Sequence, residues 1–241
     1  MMLAAQRITL WMTAGVAVVF AVAFAAFPGF FPPMSPRWSA AEVADFYRQH
    51  AAMIRFSMIT FNLFGVMLVP FFMLIVVHMK RMATPSPVFA YCFLAGAASG
   101  ATLFAIADLM WLLAAFRPER DPALVVLLND LAWIVFSAPV GMIVAQLVCL
   151  ALAVRLDTRA EPVFPKWVAW FSLAVAAAIT PSAGAAVVTS GPLAWDGVVS
   201  FWLRIVAYGV FLVVMFAVLR RAIEQQAREE HAAAERALVA S

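Results

Sequence analysis

The sequence predicts an all-α, polytopic membrane bundle of about six transmembrane helices, and three observations carry that prediction. Of the 241 residues 66% are hydrophobic and 12% charged, half the charge of an ordinary soluble domain. The mean hydropathy is +0.97. The apolar residues gather into six stretches, roughly 8–27, 57–79, 88–115, 131–154, 166–188 and 199–219, each long enough to cross about 30 Å of hydrocarbon as a helix. With connections, six such spans use up the chain, leaving one membrane domain over 1–219 and a helical tail over 220–241.

The first stretch follows Arg7 and ends in Ala23-Phe24-Ala25, features shared with secretory signals. It is longer than a typical signal core, so it reads as a retained first span, with cleavage as the alternative. The segment 28–55 is the longest outer loop. It opens with Pro28, Pro32, Pro33 and Pro36 among Phe30, Phe31 and Trp38, and continues with Ser39 and Glu42 in capping-box spacing. A helix from Ala40 toward Arg55 follows, either lying at the outer interface or extending the second span. Asp121-Pro122 pairs an N-cap residue with proline at the first helical position, so the fourth helix starts there, and Pro139 is a kink candidate within it. Thr180-Pro181 interrupts the fifth span, as a packing kink or as a way of freeing carbonyls toward a cavity. After Arg220 the tail alternates charged residues with alanine, a solvated helix or a partner-binding one.

Ten basic residues flank one side of the spans (Arg7, Lys80, Arg81, Arg155, Arg159, Lys166, Arg220, Arg221, Arg228, Arg236). Six flank the other (Arg37, Arg48, Arg55, Arg117, Arg120 and Arg204). By the positive-inside bias both termini face the cytoplasm. The same placement accounts for the formal net charge of +3 without nucleic acid as a partner. Membrane lipids are the expected surroundings.

Polar residues inside the spans are the candidate functional groups, because a charge at the bilayer centre costs about 2.5–3.5 kcal/mol even on the insertion scale. Asn129, Trp133 and Ser137 recur at i, i+4 and i+8 on the fourth helix, with Asp130 beside them; Asp196, Ser200, Arg204 and Tyr208 do so on the sixth. Asp108 lies about two turns from the outer end of the third span, and Asn62 about two turns below Arg55. All belong to the outer half. In one reading Asp108 and Arg204 form a buried ion pair while Asn62 and Asn129 fix helix register. In the other, the groups line an outward-facing pocket for a small lipophilic molecule. There Asp108, Asp130 and Arg204 are the catalytic candidates of an isomerase- or cyclase-type acid–base enzyme, and Asn62, Asn129, Trp133, Ser137, Trp202 and Tyr208 bind substrate. Trp111, Trp133, Trp195 and Trp202 also suit interfacial anchors.

No cofactor fingerprint stands in the sequence, and no metal site: His50, His78 and His231 are scattered, and Cys92 and Cys149 read as packed thiols. Gly96-Ala97-Ala98-Ser99-Gly100 is a small-xxx-small helix-packing pattern. Two further function classes fit the composition: a non-catalytic subunit or assembly factor bound to a membrane-protein partner or to a second copy of itself, and a small-solute transporter. A transporter of the inverted-repeat kind would carry a second broken helix to match the fifth span, and the sequence shows none, which ranks this class third.

Three stretches, Phe116-Arg117-Pro118-Glu119-Arg120-Asp121-Pro122, Leu128-Asn129-Asp130-Leu131-Ala132-Trp133 and Gly191-Pro192-Leu193-Ala194-Trp195-Asp196-Gly197, resemble a group of uncharacterised bacterial multi-pass membrane proteins. The resemblance implies the bacterial inner membrane and brings no activity with it. Small membrane terpene cyclases and sterol isomerases share only the plan of a compact bundle with intramembrane carboxylates.

Overall fold

The computed structural model describes residues 2–239, without the side chains of Met2, Val66 and Val239. Met1 of the expected membrane domain, and Ala240 and Ser241 of the expected tail, lie outside the described residues. Within them the chain forms α1 (Met2–Ala26), α2 (Ala40–Gly65), α3 (Val69–Met79), α4 (Val88–Phe116), α5 (Pro122–Ser137), α6 (Gly141–Leu156), α7 (Trp167–Ile179) and α8 (Arg204–Val239), with no β-strand. Six helical units are long and apolar enough to span a membrane.

Three of the six spans are broken, two at a proline inside the span and one where proline ends α7. Pro70 has no N–H and crowds the preceding turn, so α2 and α3 are joined by a 3₁₀ turn, Val66–Leu68. Pro139 separates α5 from α6, and Pro181 ends α7 in a 3₁₀ segment, Thr180–Ala186. The sixth span opens with a π-helix, Val198–Leu203, before α8.

The helix expected from Ala40 is continuous with the second span. Its start is the reciprocal pair foreseen from sequence: Ser39 N–H donates to Glu42 Oε2 at 2.7 Å, and Glu42 N–H to Ser39 Oγ at 3.3 Å. Asp121 caps α5 as its spacing predicts, accepting from Ala123 N–H at 2.8 Å.

Two hydrophobic cores are stacked along the bundle. The half nearer the termini is filled by Phe71, Ile75, Phe93, Leu150, Ile179 and Met215 among others. The opposite half is aromatic, built around Phe27, Phe30, Phe61, Trp111, Trp133 and Phe201. Here the structure corrects the expectation of interfacial tryptophans: Trp111 and Trp133 are 0% exposed and Trp195 5%. The cause is the loop after α1. It turns back into the bundle and plants Phe30 with its ring centroid 5.7 Å from those of both Trp111 and Trp133. Trp195 Nε1 then fastens the loop by donating to the Met34 carbonyl at 2.8 Å. What remains exposed on the outside is apolar, including Trp11, Val18, Leu63, Leu109, Val206 and Val213, as acyl chains require of a helix surface.

The small-residue pattern on α4 acts through Gly96 alone. A Cβ there would lie 2.9 Å from the Met142 carbonyl oxygen and 3.2 Å from Gln146 Cβ, whereas one at Gly100 meets nothing within 4 Å. The same α4–α6 contact sets Cys92 beside Cys149. Gly96→Val is expected to destabilise the protein by at least about 1–3 kcal/mol, because backbone must give way. An unchanged melting temperature in detergent would contradict this packing.

The tail helix is docked as far as Glu229 and solvated beyond it, with residues 231–238 all exposed. Glu229 accepts from Arg81 at 3.0 Å and from Arg159 at 3.1 Å, tying α8 to the two loops beneath α3 and α6; Gln226 meets Gln6 at 3.3 Å. Burial pushes the Glu229 carboxyl up, but the Gln225 hydrogen bond and the charges of Arg159 and Arg81 outweigh it and hold the carboxyl below its ordinary range. A lowered folded-state value means that this tether is complete above the ordinary carboxylate range and is lost as pH falls through the lowered one. Protection of the tail amides, taken as exchange relative to the intrinsic rate at the same pH, is therefore expected to fall on acidification of the wild type. In Glu229→Gln protection is expected to be lowered already at neutral pH.

Candidate functional site

Helix breaks create the acceptors that hold Arg204 inside the bundle. At Pro139 the Val140 N–H turns to the Ala138 carbonyl at 2.8 Å, so it no longer serves the carbonyl of Phe136. Arg204 Nη1 takes that freed oxygen at 2.6 Å, and its Nε donates to the Ser200 carbonyl, within the π-helix, at 3.0 Å. The guanidinium carbon lies 4.3 Å from the Phe136 ring centroid, a cation–π contact. Arg204 is only 7% exposed, and its Nη2 has no partner.

No ion pair joins Arg204 to Asp108 among the described residues. Asp108 sits on α4 one turn before Trp111, on the stripe that also carries Ala107, Ala114 and Ala115 into the aromatic core. It is 1% exposed and both carboxylate oxygens lack a hydrogen-bond partner. Trp111 Nε1, Trp133 Nε1 and Ser137 Oγ are likewise buried and unpartnered. Ring contacts join the two indoles to Phe136. Trp111 is edge-on to Trp133 at 5.3 Å, and Phe136, the ring under Arg204, lies 5.4 Å from Trp111 and 6.1 Å from Trp133.

The remaining sequence candidates divide. Asn129 is buried, accepts from the Tyr47 hydroxyl at 3.1 Å and donates to the half-buried Asp130 at 3.3 Å. With Trp133 and Ser137 it forms one buried stripe of α5. Trp202 is half-buried between Phe31 and Phe201. Asn62, half-buried on α2, has no hydrogen-bond partner in the described protein. Tyr208 packs near Phe211 in the core nearer the termini, so the structure does not bring it to the others. Asp196 lies in the turn before the π-helix, which ends the i, i+4 register assumed for the sixth span.

Tyr47, Phe136 and Ser57 have no counterpart among the sequence candidates, and Trp111 comes to the site from the set that suits interfacial anchors. Ser57 is fully buried with an unpartnered hydroxyl on the α2 face that carries Ile54, Met58 and Phe61 into the aromatic core. That face repeats at i+3 and i+4, and its periodicity was the available signal. Phe136 matters through its carbonyl and ring face, for which sequence offers no signal beyond the neighbouring Pro139.

Among the described residues the aromatic half of the bundle thus holds five unpartnered hydrogen-bond donors (two indoles, a guanidinium nitrogen and the hydroxyls of Ser57 and Ser137) and one carboxyl among phenylalanine rings. Each buried polar group without a partner costs about 1–3 kcal/mol. Among the described residues no three His, Cys, Asp or Glu side chains are placed to hold a metal ion. Comparison with known proteins leaves the site to be interpreted from these residues: no family model, no curated protein and no solved structure matches the chain.

Proposed function

We propose that this multi-pass membrane protein binds a small lipophilic molecule between α4, α5 and the start of α8, and uses Asp108 as the acid–base group of an isomerase- or cyclase-type reaction. The observation that carries the reading is the set of buried, unpartnered polar atoms on α4, α5 and the start of α8, the helices that bear the Trp111–Trp133–Phe136 ring cluster and the arginine on it: Asp108 Oδ1 and Oδ2, Trp111 Nε1, Trp133 Nε1, Ser137 Oγ and Arg204 Nη2. An apolar ligand with one oxygen-bearing end satisfies both halves of that environment. The indole and guanidinium N–H groups hold the oxygen, and Asp108 removes a proton from a neighbouring carbon and returns it to another, so no co-reactant is consumed. Arg204 steadies the charge that develops on the oxygen. Asn129, fixed by Tyr47, orients Asp130 at the rim.

The test is native mass spectrometry of protein gently extracted from its own membrane. Wild type is expected to retain a specific lipophile that Asp108→Asn loses without a fall in melting temperature. A stoichiometric protein partner and no small molecule would instead make the chain a subunit of a larger complex. The membrane assigned in this reading is the bacterial inner membrane with both termini cytoplasmic, supported by the ten-to-six basic bias. A carboxy-terminal reporter active only in the cytoplasm checks the orientation.

A further inference from the structure

At the end of the bundle that carries both termini, a groove of about 390 Å³ runs between the α6–α7 loop and α8, far from the aromatic site. Pro162, Val163 and Pro165 form one wall, and Val218, Ala222 and Gln225 the other. Arg221 and Arg228 stand at its edge, seven residues apart on α8 and therefore on one face.

The other cations around this groove are engaged. Arg81 and Arg159 hold Glu229. Lys166 donates to the carbonyls of Val154, Arg155 and Asp157 at 2.9, 3.4 and 2.5 Å, closing the end of α6. Glu224, the one acid lining the groove, is paired with Arg220 at 3.2 Å. Arg221 and Arg228 are exposed and have no hydrogen-bond or ion-pair partner among the described residues. The groove therefore offers two uncompensated guanidiniums above an apolar floor. The apolar run of α8 ends at Leu219, so the groove straddles the level where hydrocarbon gives way to headgroups.

We infer that this groove binds an anionic phospholipid, its phosphate between Arg221 and Arg228 and the start of its acyl chains along Val218, Pro162 and Val163. Guanidinium matches phosphate in charge and in fork geometry, and the apolar floor favours a phosphate that carries chains over a free one. A zwitterionic lipid would bring a cation into a site whose only carboxylate is already paired.

The experiment uses the full chain in nanodiscs of phosphatidylglycerol or of phosphatidylcholine, with retained lipid read by native mass spectrometry. Phosphatidylglycerol is expected to remain bound to the wild type, and R221Q/R228Q is expected to weaken its retention by about tenfold while leaving the weaker phosphatidylcholine signal unchanged. Arg155→Gln, exposed at the same end but outside the groove, is expected to have no effect. Inorganic phosphate at matched concentration is expected not to compete. Equal loss in Arg155→Gln would reduce the effect to general surface charge, full competition by phosphate would make this a site for the free anion, and unchanged retention in the double variant would remove the site; each overturns the inference.

Discussion

Gly197→Ala is expected to destabilise the protein by at least about 3 kcal/mol and to shift its tryptophan fluorescence to the red. The backbone at Gly197 is ordinary, φ −73° and ψ 158°, so the constraint is space. A Cβ would lie 2.4 Å from the Pro192 carbonyl oxygen, 2.5 Å from its carbon and 2.6 Å from the Gly191 oxygen. All three are backbone atoms, and no rotamer change relieves them. The Pro192 oxygen also accepts from Val199 and Ser200 N–H at 3.0 and 3.3 Å, while Ser200 Oγ donates to the Leu193 carbonyl at 2.7 Å. Pushing Pro192 away uncaps the π-helix that delivers Ser200 and Arg204. It also moves Trp195, whose bond to Met34 secures the inserted loop. Gly100→Ala is the matched control, with open space around the added methyl and a better helix former in place. Wild-type melting and emission in Gly197→Ala would refute the tight turn.

The turn at Gly197 shows where sequence stops speaking. Six spans, the Ser39–Glu42 box and the Asp121 cap follow from hydropathy and from local bonds within three residues, and these the structure reproduces. The stripe Asn129–Trp133–Ser137 is legible for the same reason, since α5 is regular over that range. On the sixth span the assumed α-periodicity fails at the π-helix, so Asp196 and Tyr208 part from Arg204. Long-range facts are hidden altogether. Nothing local announces that Phe30 enters the bundle, which is what turns Trp111 and Trp133 from anchors into core. Nor does composition reveal that Arg204 would find carbonyls in place of Asp108. That outcome needs the break at Pro139, which frees the Phe136 oxygen, and the π-helix Val198–Leu203, which carries the Ser200 oxygen to the same guanidinium.

Since Arg204 has carbonyl acceptors for Nε and Nη1 and Asp108 has no partner in the protein, the two residues should respond oppositely to replacement. Asp108→Leu keeps the volume roughly and removes the buried carboxyl, so the unliganded protein is expected to gain about 1–3 kcal/mol, while ligand retention disappears. Asp108→Asn is expected to leave stability near wild type, because the amide is also buried without partners. Arg204→Leu should lose stability, since it strands the Phe136 carbonyl, leaves the Ser200 carbonyl with the Ser182 hydroxyl alone as side-chain donor, and removes the contact on the Phe136 ring. Such a trade, in which a residue lowers stability and is retained for binding, is what a site for chemistry displays and a structural charge does not. Thermal melts of the three variants, with and without the lipophile identified in the wild type, separate the cases. A loss of stability in Asp108→Leu comparable to that in Arg204→Leu would mean that the carboxyl supports the fold, and the acid–base assignment would fall with it.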